Sequence, residues 1–257
     1  MYDIERERRI IEILEQKGTI GVNRLAELVF TSGSTIRRDL NKLEKKGLIK
    51  RTFGAVSIVT HSNAEETSFS IRESSNISKK KRLVKEASNF IESGYTIFID
   101  SSTTLFSIIP YLNNYKNLLI VTNGLKAALE ISSRTSHRVI ILGGSVLQNS
   151  NSSLGGVTAR QLEHFHFNLA LISCTGFSLE FGFSESSYEN AVIKKIALIN
   201  AAKRICIFDE SKVNVRKAFK TCDVSFMDVI VVQPEFDDSI AKEVERLGPT
   251  VVRYQKN

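Results

Sequence analysis

S-T-I-R-R-D-L, Ser34 to Leu40, is the stretch on which the reading of this chain turns. On a helical wheel at about 100° per residue, Ile36, Leu40 and Leu43 fall together on one face. Ser34, Arg38, Asn41 and Lys45 lie opposite, with Thr35 at the front and Arg37 and Lys42 on the flanks. A helix built this way can bury one face in a core and insert the other into a groove. Arg can donate two bonds to a guanine edge, and Asn can pair with adenine in the same two-point fashion. Lys45, Lys46, Lys50 and Arg51 are placed for phosphates, which fix register without reading sequence.

The surroundings support that helix. Residues 4–16 carry Ile10, Ile11, Ile13 and Leu14 among charges, the period of an amphipathic helix, and Gly18 ends it. Residues 22–29 make a second short helix with Val22, Leu25, Ala26 and Val29 on one side. A break follows at Phe30-Thr31, and Ser32 suits the N-cap of the third helix, which runs to about Lys46. Two short β-like runs around Phe53-Gly54 form a hairpin or wing. Between 31 and 58 there are seven basic residues and two acidic ones, a local net of +5 out of the chain's +7. The basic balance therefore sits where a helix-turn-helix needs it to meet double-stranded DNA.

Residues 59–78 are largely polar, rich in Ser, Thr and Asn, and read as a linker whose Phe69 and Ile71 could dock on a neighbour. From 79 to 257 the texture alternates. Strands are expected at 96–100, 118–122, 138–144, 169–174, 204–209, 229–232 and 250–254. Helices are expected at 80–92, 103–113, 124–133, 158–165, 188–202 and 237–247. Strands that are apolar throughout, separated by helices, predict a mainly parallel, Rossmann-like sheet covered on both faces. The fold class is α/β: a winged helix-turn-helix over 1–58, a linker, and a larger α/β domain.

Composition excludes several classes. Cys174, Cys206 and Cys222 are far apart and make no metal-ligand spacing, so they read as buried thiols of a reducing cytoplasm. His61, His137, His164 and His166 form neither a metal set nor a triad. The N-terminus is charged from its third residue, unlike a signal peptide. No apolar run approaches the roughly 18 residues of a membrane span. No cofactor is expected.

Ser32 to Leu40, the L-x-x-L-x-x-x-G-L-I-x-R run from Leu40 to Arg51, and the Phe53-Gly54-Ala55 turn together resemble the DeoR family of bacterial transcriptional regulators. The resemblance covers nearly the whole chain. It implies a second domain similar to sugar-phosphate isomerases that senses a phosphorylated sugar without converting it. The family's motifs fall on D-S-S-T-T (Asp100 to Thr104), Thr122-Asn123, Gly143-Gly144, Gly176, and D-E-S-K (Asp209 to Lys212). The chain departs from the family where Ser102, Phe53 and Asn168 replace the usual glycine, glycine and aspartate.

D-S-S-T-T follows a strand and opens a helix, whose first amides have no internal partners and favour an anion. By itself such a stretch is also an ordinary helix cap. Asp100, Asn123, Gly144, Gly176 and Lys212, however, all fall at or beyond expected strand C-termini, where open α/β sheets bind ligands. The expected effector residues are Asp100, Ser102, Thr103, Thr104, Asn123, Gly143, Gly144, Gly176 and Lys212. The expected DNA residues are Ser34, Thr35, Arg37, Arg38, Asn41, Lys42, Lys45, Lys50 and Arg51. Thr175-Gly176-Phe177-Ser178 offers no carboxylate for an isomerase base, although Glu185 and Glu189 are nearby in sequence, so the expectation is a regulator, a repressor of carbohydrate-metabolism genes, and not an enzyme; the alternative is an isomerase-like enzyme. Paired half-sites imply a homo-oligomer.

Overall fold

The computed structural model describes residues 3–45, 48–52, 54–58, 69–147 and 150–255. The chain divides into two compact units, residues 1–75 and 76–257.

The first unit opens with α1 (Asp3–Lys17), β1 (Thr19–Gly21), α2 (Val22–Leu28) and α3 (Gly33–Lys45). The hairpin β2 (Ile49–Thr52) and β3 (Ala55–Ile58) and a short α4 (Phe69–Ser74) follow. Its core is Ile10, Ile11 and Leu14 of α1, Leu25 of α2, and Ile36, Leu40 and Leu43 of α3, with Ile49 and Val56 from the hairpin. The expected helix faces are therefore the buried ones. Ser32 caps α3: its Oγ accepts the Thr35 amide at 3.2 Å, and its carbonyl accepts the Ile36 amide at 2.9 Å. The hairpin gains a third strand that the sequence reading lacked. β1 pairs antiparallel with β3 (Ile20 opposite Val56), giving the order β1-β3-β2. At the wing, Gly54 takes φ +80°; Phe53 lies outside the described residues.

The second unit begins with α5 (Ile77–Ser88), β4 (Thr96–Ile99), α6 (Thr103–Phe106), α7 (Ile109–Leu112), β5 (Leu119–Thr122), α8 (Leu125–Arg134) and β6 (Arg138–Ile141). It continues with β7 (Ser145–Leu147), β8 (Ser152–Leu154), α9 (Gly156–Leu162), β9 (Phe167–Ile172), β10 (Gly176–Ser178), β11 (Gly182–Glu185), α10 (Tyr188–Ile199) and β12 (Ala201–Ile207). β13 (Phe219–Cys222), β14 (Val229–Val232), α11 (Asp238–Arg246) and β15 (Thr250–Arg253) complete it. All seven expected strands form one parallel sheet in the order β15-β14-β12-β9-β4-β5-β6. Alternate residues serve opposite faces. Phe98, Ala170, Cys206 and Ile230 enter one core, and Ile97, Leu169, Ile205 and Val229 enter the other.

Three expectations change. The helix expected over 103–113 is two, α6 and α7, because Pro110 has no amide to bond the Phe106 carbonyl. Residues 69–74 and 77–78, expected as linker, are helical. Two antiparallel pieces are added: the β7–β8 pair and the β10-β11-β13 sheet, whose strands are too short to show a period.

Candidate functional site

On α3, Ser34, Arg37, Arg38 and Asn41 are exposed, and Thr35 and Lys42 are half-buried. Lys50 is exposed and Arg51 half-buried on β2. The side chain of Lys45, and all of Lys46, lie outside the described residues. Ser32 Oγ lies 3.0 Å from Ser34 Oγ and 2.8 Å from Thr35 Oγ1, so three hydroxyls cluster at the helix start. Among the described residues, the Arg37 and Arg38 guanidinium groups have no partner. Arg51 differs: it donates to Asn41 Oδ1 and stands 3.8 Å from Glu44. That bond ties the wing to α3 and leaves the Asn41 amide nitrogen as its outward donor.

Asp39, inside the R-R-D-L stretch, is fully buried. Its carboxylate accepts Arg6 Nε at 2.5 Å and Arg6 Nη2 at 3.2 Å. The two-point pair fixes the rotation of α3 against α1, and with it the direction in which Arg37 and Arg38 point. The sequence reading counted Asp39 only as a negative charge.

In the second unit the strand order reverses direction between β4 and β9, since the chain runs outward from β4 through β5 to β6 and then returns to β9 on the other side. The C-terminal ends at such a switch point form the ligand crevice of doubly wound sheets. Asp100 stands there, immediately after β4, and is fully occupied. One carboxylate oxygen accepts the Ser102 amide at 2.8 Å; the other accepts the Ser173 amide at 2.8 Å and lies 3.2 Å from Lys194 Nζ. Asp100 therefore sutures the two strand ends. Ser102 caps α6, accepting the Leu105 amide at 3.2 Å. This leaves the first two amides of α6, those of Thr103 and Thr104, without intrahelical acceptors.

Two buried lysines flank this turn. Lys80 of α5, 5% exposed, donates to Thr103 Oγ1 at 3.1 Å. Lys194 of α10 donates to Glu185 at 2.5 Å and to the Ser173 carbonyl at 2.8 Å. Burial alone lowers the Lys194 pKa, but the Glu185 and Asp100 carboxylates outweigh it and the net shift is upward. Burial raises the Glu185 carboxyl, against the opposing pull of Lys194. Glu185 also accepts the Thr175 hydroxyl. Asp100 and Glu185 are thus both paired with Lys194. Lys80 and Lys194 were absent from the sequence reading.

Asn123, at the end of β5, is 2% exposed. Its amide nitrogen lies 3.3 Å from the Ser153 carbonyl and 3.5 Å from Ser101 Oγ, while among the described residues its Oδ1 has no hydrogen-bond partner. A buried, unpaired acceptor at a crevice calls for a donor.

Gly143 donates its amide to Gln161 at 2.9 Å and accepts from Thr158 at 2.8 Å. Gly144, at φ +152°, would place a Cβ 2.1 Å from Thr158 Oγ1. The pair is a close joint between β6 and α9. Gly176 opens β10, and a Cβ there would meet the Val215 carbonyl at 2.4 Å. Lys212 lies on a separate turn after β12; among the described residues its ammonium has no partner. Lys79, beside Lys80, pairs with Glu210 of that same turn. Asn168 is at the opposite, N-terminal end of β9, where it accepts the Thr96 amide at 2.8 Å, so it takes no part in the crevice.

Residues 6–62 match the DeoR-like helix-turn-helix domain, and residues 75–233 match the DeoR C terminal sensor domain. An uncharacterized HTH-type transcriptional regulator, YulB of Bacillus subtilis strain 168, is 34% identical over 95% of this chain and 94% of its own length. The glycerol-3-phosphate regulon repressor of Escherichia coli K12 is 27% identical over 90% of each chain. Among solved structures, ribose 5-phosphate isomerase A of Methanocaldococcus jannaschii is similar at 16% identity and a TM-score of 0.40, over 54% of this chain and 55% of that one.

Proposed function

The chain belongs to the DeoR family of transcriptional regulators, and we propose that it represses carbohydrate-metabolism genes until a phosphorylated sugar or related metabolite occupies its sensor domain. The observation that carries this reading is the turn at the β4–β9 switch point. It sets the Thr103 and Thr104 amides at a helix start, with the Lys80 ammonium on the Thr103 hydroxyl. Amides at a helix start, hydroxyls and a cation are the groups that hold a phosphate dianion. The unpaired Asn123 Oδ1 supplies an acceptor for a hydroxyl of the same ligand. Lys194, already neutralised by two carboxylates, holds the walls and does not neutralise the ligand.

In the DNA-binding domain, α3 enters the major groove with its N-terminal end. Ser34, Thr35, Arg37, Arg38 and Asn41 face bases, and Lys42, Lys45, Lys50 and Arg51 track phosphates. The relative named for the glycerol-3-phosphate regulon supports a small phosphorylated metabolite as the class of signal. A ligand shifts operator affinity only by its differential affinity for two states of the protein. The protein acts on DNA as a homo-oligomer in the cytoplasm; no described helix is long and apolar enough to cross a membrane.

Thermal-shift titration with glycerol 3-phosphate and a panel of hexose and pentose phosphates tests the reading. A bound compound raises the melting temperature by mass action, and Lys80→Ala with Thr103→Ala abolishes the rise. A rise of the same size in that double variant would remove the ligand from this turn.

A further inference from the structure

The connection between α2 and α3 contains a residue that the fold does not ask for. α2 ends in a Schellman cap: the Thr31 amide donates to the Ala26 carbonyl at 3.0 Å and the Phe30 amide to the Glu27 carbonyl at 3.1 Å. Phe30 thereby takes the position that glycine usually fills, at φ +53°. A β-carbon is disfavoured in this left-handed conformation, and a phenyl ring has no polar group with which to compensate. Nor does the ring gain anything by packing, because Phe30 is 93% exposed. Backbone and side chain both act against the stability of the free protein, the first by strain and the second by holding a large apolar surface in water.

Its position suggests what offsets those costs. Ser32, two residues on, caps α3, and Ser34, Thr35, Arg37 and Arg38 occupy the first turns behind it. Phe30 therefore leads into the end of the helix that meets bases in a helix-turn-helix complex. Gly33 adds no side chain between the ring and that end. The major-groove group that an apolar ring can read is the C5 methyl of thymine. We infer that Phe30 is a specificity-determining residue, packing its ring against a thymine methyl at the edge of each half-site. The inference rests on the helix-turn-helix reading of α2 and α3.

The test uses the full-length chain and a duplex selected by it from a random library. Each thymine is replaced singly by deoxyuridine, which removes only the methyl, and binding is followed by fluorescence anisotropy for the wild type and for Phe30→Gly. One thymine per half-site is expected to matter, its replacement weakening wild-type binding about four-fold, the worth of one buried methyl. Phe30→Gly is expected to bind the thymine duplex about ten-fold more weakly, to ignore deoxyuridine at that position, and to melt at a higher temperature than the wild type. Phe30→Leu should keep most of the response. Equal affinity of the wild type and Phe30→Gly, the absence of any deoxyuridine-sensitive thymine, or sensitivity that persists in Phe30→Gly overturns the inference. So does a lower melting temperature in Phe30→Gly, which would make the ring a structural element. A library that enriches no sequence would sink sequence-specific reading by α3 altogether, whereas the other outcomes leave that reading standing.

Discussion

At the scale of single residues, the charges that hold this protein together are those the sequence presents as ordinary surface charges. Asp39 is the clearest case. Asp39→Ala leaves Arg6 charged and buried, and is expected to destabilise the first unit by about 3–5 kcal/mol in urea unfolding; replacing Arg6 and Asp39 together by apolar residues should recover much of that. A milder pair joins β12 to the turn before β14. Arg204 donates Nε and its amide to one Asp228 oxygen at 2.9 and 2.7 Å, and Nη2 to the other at 2.9 Å. Burial pushes the Asp228 carboxyl up, but the Arg204 bonds prevail and its folded pKa is lowered. Its contribution is therefore complete above the unfolded value of about 3.9 and is lost as pH falls through the folded value. Asp228→Asn should flatten that acid limb at a cost under about 1 kcal/mol, since solvent screens the pair. Lys80 and Lys194 were legible in principle. Lys80 stands on the stripe of Leu83, Val84 and Ala87, and Lys194 on that of Ala191, Ala197 and Leu198. A lysine on an apolar stripe is a buried lysine, but lysine is so often exposed that charge outweighed position.

At the scale of elements, α3 was readable from end to end because its cap, apolar face and basic face all agree. The same agreement gave the seven strands, each apolar on both sides. What escaped were pieces held by tertiary pairing alone: β1, the β7–β8 pair and the β10-β11-β13 sheet. Gly143, Gly144 and Gly176 are ambiguous in the sequence for a related reason. A glycine at a strand end reads alike whether a ligand or another backbone comes close, and here Thr158 and the Val215 carbonyl are what come close. Arg38→Ala tests α3 as a reader: DNA affinity should fall by about 1–3 kcal/mol with relaxed preference at one base pair. Lys50→Ala should instead weaken all sequences alike and reduce the salt slope by about one. Both are read from anisotropy titrations at several salt concentrations.

At the scale of the molecule, each unit has its own core, the first built on α1 and α3 and the second on the two faces of the parallel sheet. Residues 76–257 expressed alone are therefore expected to fold and to show the same phosphate-dependent rise in melting temperature as the full chain; loss of the rise would mean that the first unit completes the crevice. Strand order was not legible at all, because nothing in a strand's own residues says which neighbour it takes, and yet that order is what makes the Asp100 turn the centre of the sheet edge. One consequence concerns α5. Asn76 turns the backbone through the left-handed region at the first residue of the second unit, and Lys80 comes one helical turn later. The tether from the DNA-reading half is thus threaded straight into the helix that grips the turn, over a span of roughly 6 Å.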